Sequence, residues 1–447
     1  MSTVTAKVLD YDQPPPQATA PERFAFLRKN SFALADQVLI SGTNFVTMVL
    51  TARALTQGEF GTFSIIYGVL LLANIFQSTL ITQAHNVLGA TRVGRDYQRY
   101  TGSTAVQQIF VVLFEAILIV PVVLWAHAHG WAATGMLLAL IPAIIFWQLM
   151  EFVRRVLYTE GRYAAAFLND MISYGGQTAL LIGLYIAHRH GVIALNGAMA
   201  LYTLGSTALL ATIFGVWQLR KSAVFSLDLQ HVRENWHFGK WLLGGEMLAW
   251  SYSLHMQVWW AAWLIGVTAS ADLRAAQILF GPMRVITFFL GTVLPIRFAR
   301  ALHAGGPAAM HHKLKTVYRI LIPTVGAYCL LLALFPEPLL KLVYGSTYAA
   351  SDAPSVLRLY ALSAFLSYLQ MVIAAALTAR RHTRAIFLGS IWGCVLALVM
   401  SPICIKAFGS NGAIITIIVT TLAVTIAFAR TYFKTLDTLA AGEEGAS

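Results

Sequence analysis

Long apolar runs separated by short polar joints dominate this chain. Twelve runs reach the length of roughly 20 residues that an α-helix needs to cross a bilayer. They lie near 31–54, 60–84, 104–126, 131–152, 163–187, 191–217, 240–266, 271–297, 317–344, 355–378, 384–407 and 412–433. Pro282 interrupts the eighth run and Pro295 closes it. The pattern predicts an all-α polytopic membrane protein of twelve transmembrane helices.

The joints are not equivalent. Of the 31 lysines and arginines, 24 fall in the leading segment or in every second joint, in clusters such as Arg92, Arg95 and Arg99, or Arg154, Arg155 and Arg162. The positive-inside rule then places both termini in the cytoplasm, as an even number of spans requires. The longest cytoplasmic joint follows the sixth run and divides the chain into halves of similar layout, a habit of transporters that bind substrate between repeats. The expected organisation is a disordered tail at 1–30 ending in an interfacial lead-in (FAFLRKN), a six-helix lobe at 31–217, and a linker at 218–239. A second six-helix lobe at 240–433 and a tail at 434–447 complete it. No cleavable signal peptide is expected.

Composition sharpens this picture. Hydrophobic residues make up 58% of the 447 and charged residues 11%, against roughly 25% charged in a soluble domain. The net charge of +12 sits in short clusters between apolar runs, so no nucleic-acid partner is expected. Cys329, Cys394 and Cys404 lie inside apolar runs and read as small buried hydrophobes. No P-loop and no HExxH is present, and the pairs His127/His129 and His188/His190 lack a third ligand. No metal, no cofactor and no enzyme activity is expected.

Polar residues recur at helical spacing inside the runs. Asp36, Thr43, Asn44, Thr47 and Thr51 share a face of the first, and Asn74, Gln77, Ser78 and His85 one of the second. Thr104, Gln108 and Glu115 share a face of the third, Asp170, Ser173, Tyr174, Gln177 and Thr178 one of the fifth, and Tyr360, Ser363, Ser367 and Gln370 one of the tenth. Such stripes avoid lipid. They line a cavity, with Asn44, Asn74, Gln77, Gln108, Gln177, Ser367 and Gln370 as its candidate lining, or they bond neighbouring helices. Charges within the runs are the sharper signal. Asp36, Glu115, Asp170 and Glu246 are candidate carriers of a coupling H⁺ or Na⁺. Arg284, deep in the eighth run after Gly281–Pro282, Arg274 at its mouth and Arg53 at the outer end of the first run are candidate anion-binding cations. Arg53 and Arg274 also suit interface anchors. Glu151 has Arg155 four residues on, the spacing of a helix-end ion pair.

These segments carry a family likeness. TARALTQGEFGTFSI (51–65), read as two spans joined by a GEFG turn, resembles the junction of the first two spans in Wzx-type polysaccharide flippases. Those flippases belong to the multidrug/oligosaccharidyl-lipid/polysaccharide (MOP) exporter superfamily. EFVRRVLYTEGR (151–162), LRAAQILFGPMRV (273–285) and LVYGSTYAASDAPSVLRLYAL (342–362) resemble later segments of the same family, in order and at matching spacing over about residues 30–433. The resemblance implies a MATE-like V-shaped bundle of two lobes with alternating access. It also implies a lipid-linked oligosaccharide substrate whose pyrophosphate sits among cavity cations, here Arg284, Arg53 and Arg274. A bacterial cytoplasmic membrane, a monomer in contact with membrane lipid, and polysaccharide polymerase or export machinery as partners follow as implications. A drug or cation antiporter on the same fold is the alternative, and would need an acidic cavity.

Overall fold

In the computed structural model, residues 20–283, 286–287, 289–380 and 382–444 are described, the side chains at 20–31, 33–34, 292, 383 and 435–444 excepted. Every regular element among them is helical. The first half comprises α1 (Ala20–Ala54), α2 (Gln57–Thr91, with a π-turn at Ser78–Thr82) and α3 (Gly94–Ala128). It continues with α4 (Thr134–Thr159), α5 (Tyr163–Asp170 and Gly176–Arg189 joined by a π-turn at Met171–Gly175) and α6 (Gly197–Gln218). The second half begins with α7 (Leu229–Ser251), α8 (Leu254–Ile265) and α9 (Val267–Ile278). After it come α10 (Leu294–Leu334, bent at Gly305–Gly306), α11 (Pro336–Tyr344), α12 (Ala353–Ala379), α13 (Thr383–Phe408) and α14 (Ser410–Glu444).

Eight helices among the described residues are long and apolar enough to cross a membrane: α2, α3, α4, α6, the helix Phe289–Leu334, α12, α13 and α14. The other expected spans are helical as well, but they are polar or interrupted. α1 and α5 carry the buried Asp36 and Asp170. The seventh run splits into α7 and α8 at Tyr252–Ser253, where Ser253 leaves the helical region at ψ 164°. The eighth splits into α9, a 3₁₀ turn at Gly281–Met283 and a π-turn at Phe289–Val293. Pro282 lacks the amide hydrogen that would continue α9. Of these segments α9 is the enclosed one, nine of its twelve residues being buried.

α1 begins at Ala20, so the interfacial lead-in is part of the first helix; residues 1–19 of the expected tail lie outside the described residues. The expected GEFG turn is instead the first turn of α2. The chain reverses at Leu55–Thr56, and Thr56 and Glu59 form a reciprocal capping box that satisfies two orphan donors of the helix start.

The 218–239 connection is not a slack tether. Its extended part lies along α3: Val224 N donates to Gln98 O (3.1 Å) and Gln98 Nε2 to Lys221 O (3.0 Å). Gly102 permits this, since a methyl group there would collide with the Val224 carbonyl. The first turns of α7 continue the attachment. Tyr100 Oη donates to Asn235 Oδ1 (2.6 Å), Asn235 Nδ2 to Gln107 Oε1 (2.9 Å), and Arg92 pairs with Glu234. Gly239 then packs on the Thr79–Leu80 backbone at the α2 π-turn.

The halves meet chiefly along α2 and α9, at the end of the bundle that carries the α1–α2 reversal. Gly61 allows α2 to approach so closely that an alanine methyl would strike the Val267 carbonyl. Trp259 Nε1 donates to Ile65 O (3.2 Å), and Phe60 meets Tyr348 edge to face.

Candidate functional site

Three polar assemblies fill the interior. The first joins α2, α3 and α4. Gln77 Nε2 donates to the Gln148 carbonyl (2.6 Å), Gln148 Nε2 to Glu115 Oε2 (2.6 Å) and Gln108 Nε2 to Gln148 Oε1 (3.4 Å). Thr43 and Thr178 hydroxyls meet at 2.8 Å, and Gln177 Nε2 donates to Thr47 Oγ1 (3.1 Å), so the stripes of α1 and α5 face each other. Gln77, Gln108 and Gln177 are thus engaged between helices, the role such residues take where no water is available. Asn44 and Asn74 are half-buried. Gln148, the hub, stands three residues before Glu151 and seven before Arg155 on α4, a polar spacing in the sequence that would have found it.

The second assembly is ionic. Arg154 grips Glu151 through Nε (2.9 Å) and Nη2 (2.7 Å), and its Nη1 stands 3.7 Å from Asp36 and 3.6 Å from Asp170. Tyr158 Oη donates to Asp36 Oδ2 (2.6 Å), and Arg155 Nε to Glu151 Oε1 (2.8 Å). All four principal members are buried; Asp170 has 0% exposure and Arg154 7%. The expected Glu151–Arg155 pair is therefore one edge of a larger network. Arg154, read from sequence as a joint residue, is interior. Buried like charges need a counter-charge, and Arg154 supplies it to three carboxylates from α1, α4 and α5. Asp36 and Asp170 come together here; Glu115 does not join them, and Glu246 is exposed on α7. The spacing Trp147, Glu151, Arg154, Tyr158 places one polar-aromatic face on α4, a signal in the sequence that would have found Arg154.

The third assembly lies at the meeting of the halves. Arg274 on α9 is 6% exposed. Its Nη1 donates to Gln277 Oε1 (2.6 Å), stands 3.3 Å from His255 Nδ1, and the guanidinium lies 5.3 Å from the ring centre of Tyr67 on α2. Beyond it a cavity of about 450 Å³ opens in the second half, lined by Ser253 and Tyr252 at the α7–α8 break and by Tyr360, Ser363, Ser367 and Gln370 of α12. The polar stripe of the tenth run thus faces this cavity. Arg284 lies outside the described residues. Arg53, exposed at the end of α1, donates through Nε to Val343 O and Nη2 to Leu342 O, both at 2.6 Å. It thereby caps the last carbonyls of α11.

The MatE family model matches residues 243–403, from α7 into α13. No curated protein matches the chain by sequence. Solved structures match over nearly the whole length. An inward-facing structure of a multidrug resistance MATE family transporter of the MOP superfamily shares 14% identity, over 90% of this chain and 95% of the other, with a TM-score of 0.66. The lipid II flippase MurJ in an inward closed conformation shares 13% over 91% and 87%, with a TM-score of 0.64. A MOP superfamily transporter from Pyrococcus furiosus, whose binding pocket of reverse polarity suggests a different function, shares 11% over 93% and 96%, with a TM-score of 0.63. The chain is a multi-pass membrane protein with the fold of the MOP superfamily transporters, and its second half carries a MatE segment.

Proposed function

We propose that the protein is an alternating-access flippase that moves a polyprenyl-diphosphate-linked oligosaccharide from the inner to the outer leaflet of a bacterial cytoplasmic membrane, for surface polysaccharide synthesis. The observation that carries this reading is the position of Arg274: a buried guanidinium where α2 meets α9, beside a cavity. A planar guanidinium binds phosphate oxygens through paired hydrogen bonds, and a site shielded from water strengthens them. The basic clusters of alternate joints orient the chain with both termini in the cytoplasm. The seam around Gly61 and Val267 then closes the outer end, and the head group enters from the cytoplasm while its lipid tail stays in the bilayer.

A membrane potential negative inside favours outward movement of an anion by about 2.3 kcal/mol per charge per 100 mV, so a doubly charged diphosphate needs no second ion. The carboxylates Asp36 and Asp170 are the features that favour the rival reading, an H⁺- or Na⁺-coupled cation antiporter. Arg154 already provides their positive partner, which weighs against a free cation there. Polysaccharide polymerase or export proteins are the partners this function calls for.

The test is reconstitution of the protein in liposomes with a fluorescent polyprenyl-diphosphate sugar. Arg274→Ala is expected to slow its translocation about tenfold or more, from the loss of charge-assisted hydrogen bonds of about 1.5–3 kcal/mol, with unchanged membrane insertion. Wild-type rates in this variant, or efflux of a cationic dye in place of lipid movement, overturn the reading.

A further inference from the structure

The cavity beyond Arg274 is chemically unlike the rest of the interior. Charge fills the α1–α4–α5 network, whereas the described lining residues of this cavity include no Asp, Glu, Lys, Arg or His. They combine aromatic rings, among them Phe280, Tyr360 and Tyr368, with hydroxyls and one carboxamide, Gln370. Phe280 and Tyr360 meet edge to face at 4.9 Å, which fixes the two rings as a rigid corner.

Several of the polar groups satisfy themselves within the protein. Ser367 Oγ donates to Ser363 O (2.9 Å) and Ser253 Oγ to Trp250 O (2.8 Å). Among the described residues, the Tyr360 hydroxyl and the Gln370 amide make no hydrogen bond, although both residues line the cavity. A neutral hydroxyl and a carboxamide each offer donor and acceptor together. That pairing fits sugar hydroxyls, which also donate and accept, and the apolar ring faces fit the C–H face of a pyranose. An organic cation would meet ring faces here but no counter-charge among the described lining residues, and it would leave the hydroxyl and the carboxamide unused; a lipid chain calls for no polar groups.

Position adds to composition. Phe280 stands in the turn just past the C-terminal end of α9, the helix that carries Arg274. Leu254, another lining residue, precedes His255, which contacts Arg274. An anion at Arg274 and a sugar in the cavity are therefore neighbours, as they are in a sugar diphosphate.

We propose that this cavity is a glycan subsite that takes an uncharged pyranose next to the diphosphate, with Tyr360 and Gln370 as its hydrogen-bonding specificity residues. The proposal rests on the flippase reading and names its substrate class more closely. The experiment measures binding of two lipids to the purified protein in nanodiscs: undecaprenyl diphosphate, and the same lipid bearing one N-acetylhexosamine. The wild type is expected to bind the glycosylated lipid at least about tenfold more tightly. Tyr360→Phe and Gln370→Ala, which keep the fold, should each remove most of that preference and leave bare undecaprenyl diphosphate unchanged. Equal binding of the two lipids by the wild type, a preference untouched by both variants, or a parallel loss for both lipids overturns the subsite and leaves the flippase reading standing. Failure of the wild type to bind either lipid overturns both.

Discussion

Gln57 Nε2 stands 2.7 Å from Asp272 Oδ1, and the two residues belong to opposite halves of the chain. Ser351 Oγ donates to the same oxygen at 2.7 Å, so one carboxylate ties the start of α2, the middle of α9 and the segment before α12. Arg53 adds its pair of bonds to the carbonyls of α11 nearby. In an alternating-access cycle this end must open, and these bonds must break. Asp272→Ala, which removes the shared acceptor, is expected to favour the opened form by about 1.5–3 kcal/mol, roughly a tenfold or greater population shift. Distances between spin labels on α2 and α9 report it; unchanged distance distributions would count against a clasp at this place.

Gly58 and Gly61 sit three residues apart in the first turns of α2 and make a matched pair. A methyl group at 58 meets nothing within 4 Å, whereas one at 61 collides with the Val267 carbonyl. Gly61→Ala is expected to lower the thermal midpoint of the purified protein through overpacking of about 1–3 kcal/mol. Gly58→Ala should leave it nearly unchanged. Similar midpoints for both variants would mean that α2 and α9 can part without cost.

Arg154 balances three buried carboxylates. Its replacement by methionine leaves uncompensated charge and is expected to destabilise the protein by about 3–5 kcal/mol. Adding Asp170→Asn to Arg154→Met removes one of the stranded charges and should restore part of the loss. A double-mutant cycle measures this coupling; strictly additive effects would show that Arg154 and Asp170 do not sense one another.

Tyr100→Phe removes the hydroxyl that bonds Asn235 while keeping the ring. The expected cost is about 1 kcal/mol, seen as faster proteolytic cleavage between Lys221 and Asp228. A cleavage rate equal to that of the wild type would place the attachment of this segment elsewhere.

Much of this architecture was legible because apolar length and polar periodicity are local properties. Tyr360, Ser363, Ser367 and Gln370 repeat at helical spacing, and the same four residues face the cavity. Thr43 and Gln177 announced polar faces on two helices, but periodicity cannot say whether two such faces meet each other or water; they meet each other. Arg154 was hidden by its neighbourhood. A run of basic residues near a helix end looks like a joint; the Trp147, Glu151, Arg154, Tyr158 spacing sets Arg154 on an inward face, and the closeness of Asp36 and Asp170 shows what it meets there. The role of Arg53 depends on carbonyls nearly three hundred positions away, and no local pattern encodes that. The capping box at Thr56 and Glu59 was readable as a T-x-x-E motif, but the glycines on either side suggested a turn instead.

The fastening of residues 221–239 onto α3 and α2 limits how the two halves can travel. The slack between them shrinks from the whole connection to the stretch between Gly239, packed on Thr79, and the break at Tyr252–Ser253. Within that one helix the chain passes from contacts with the first half to contacts with α13, and Gly244 and Gly245 there have no close neighbours. A tether this short acts as a pivot. Any swing of the two halves would turn about α7, and sliding them apart would break the contacts that fasten 221–239.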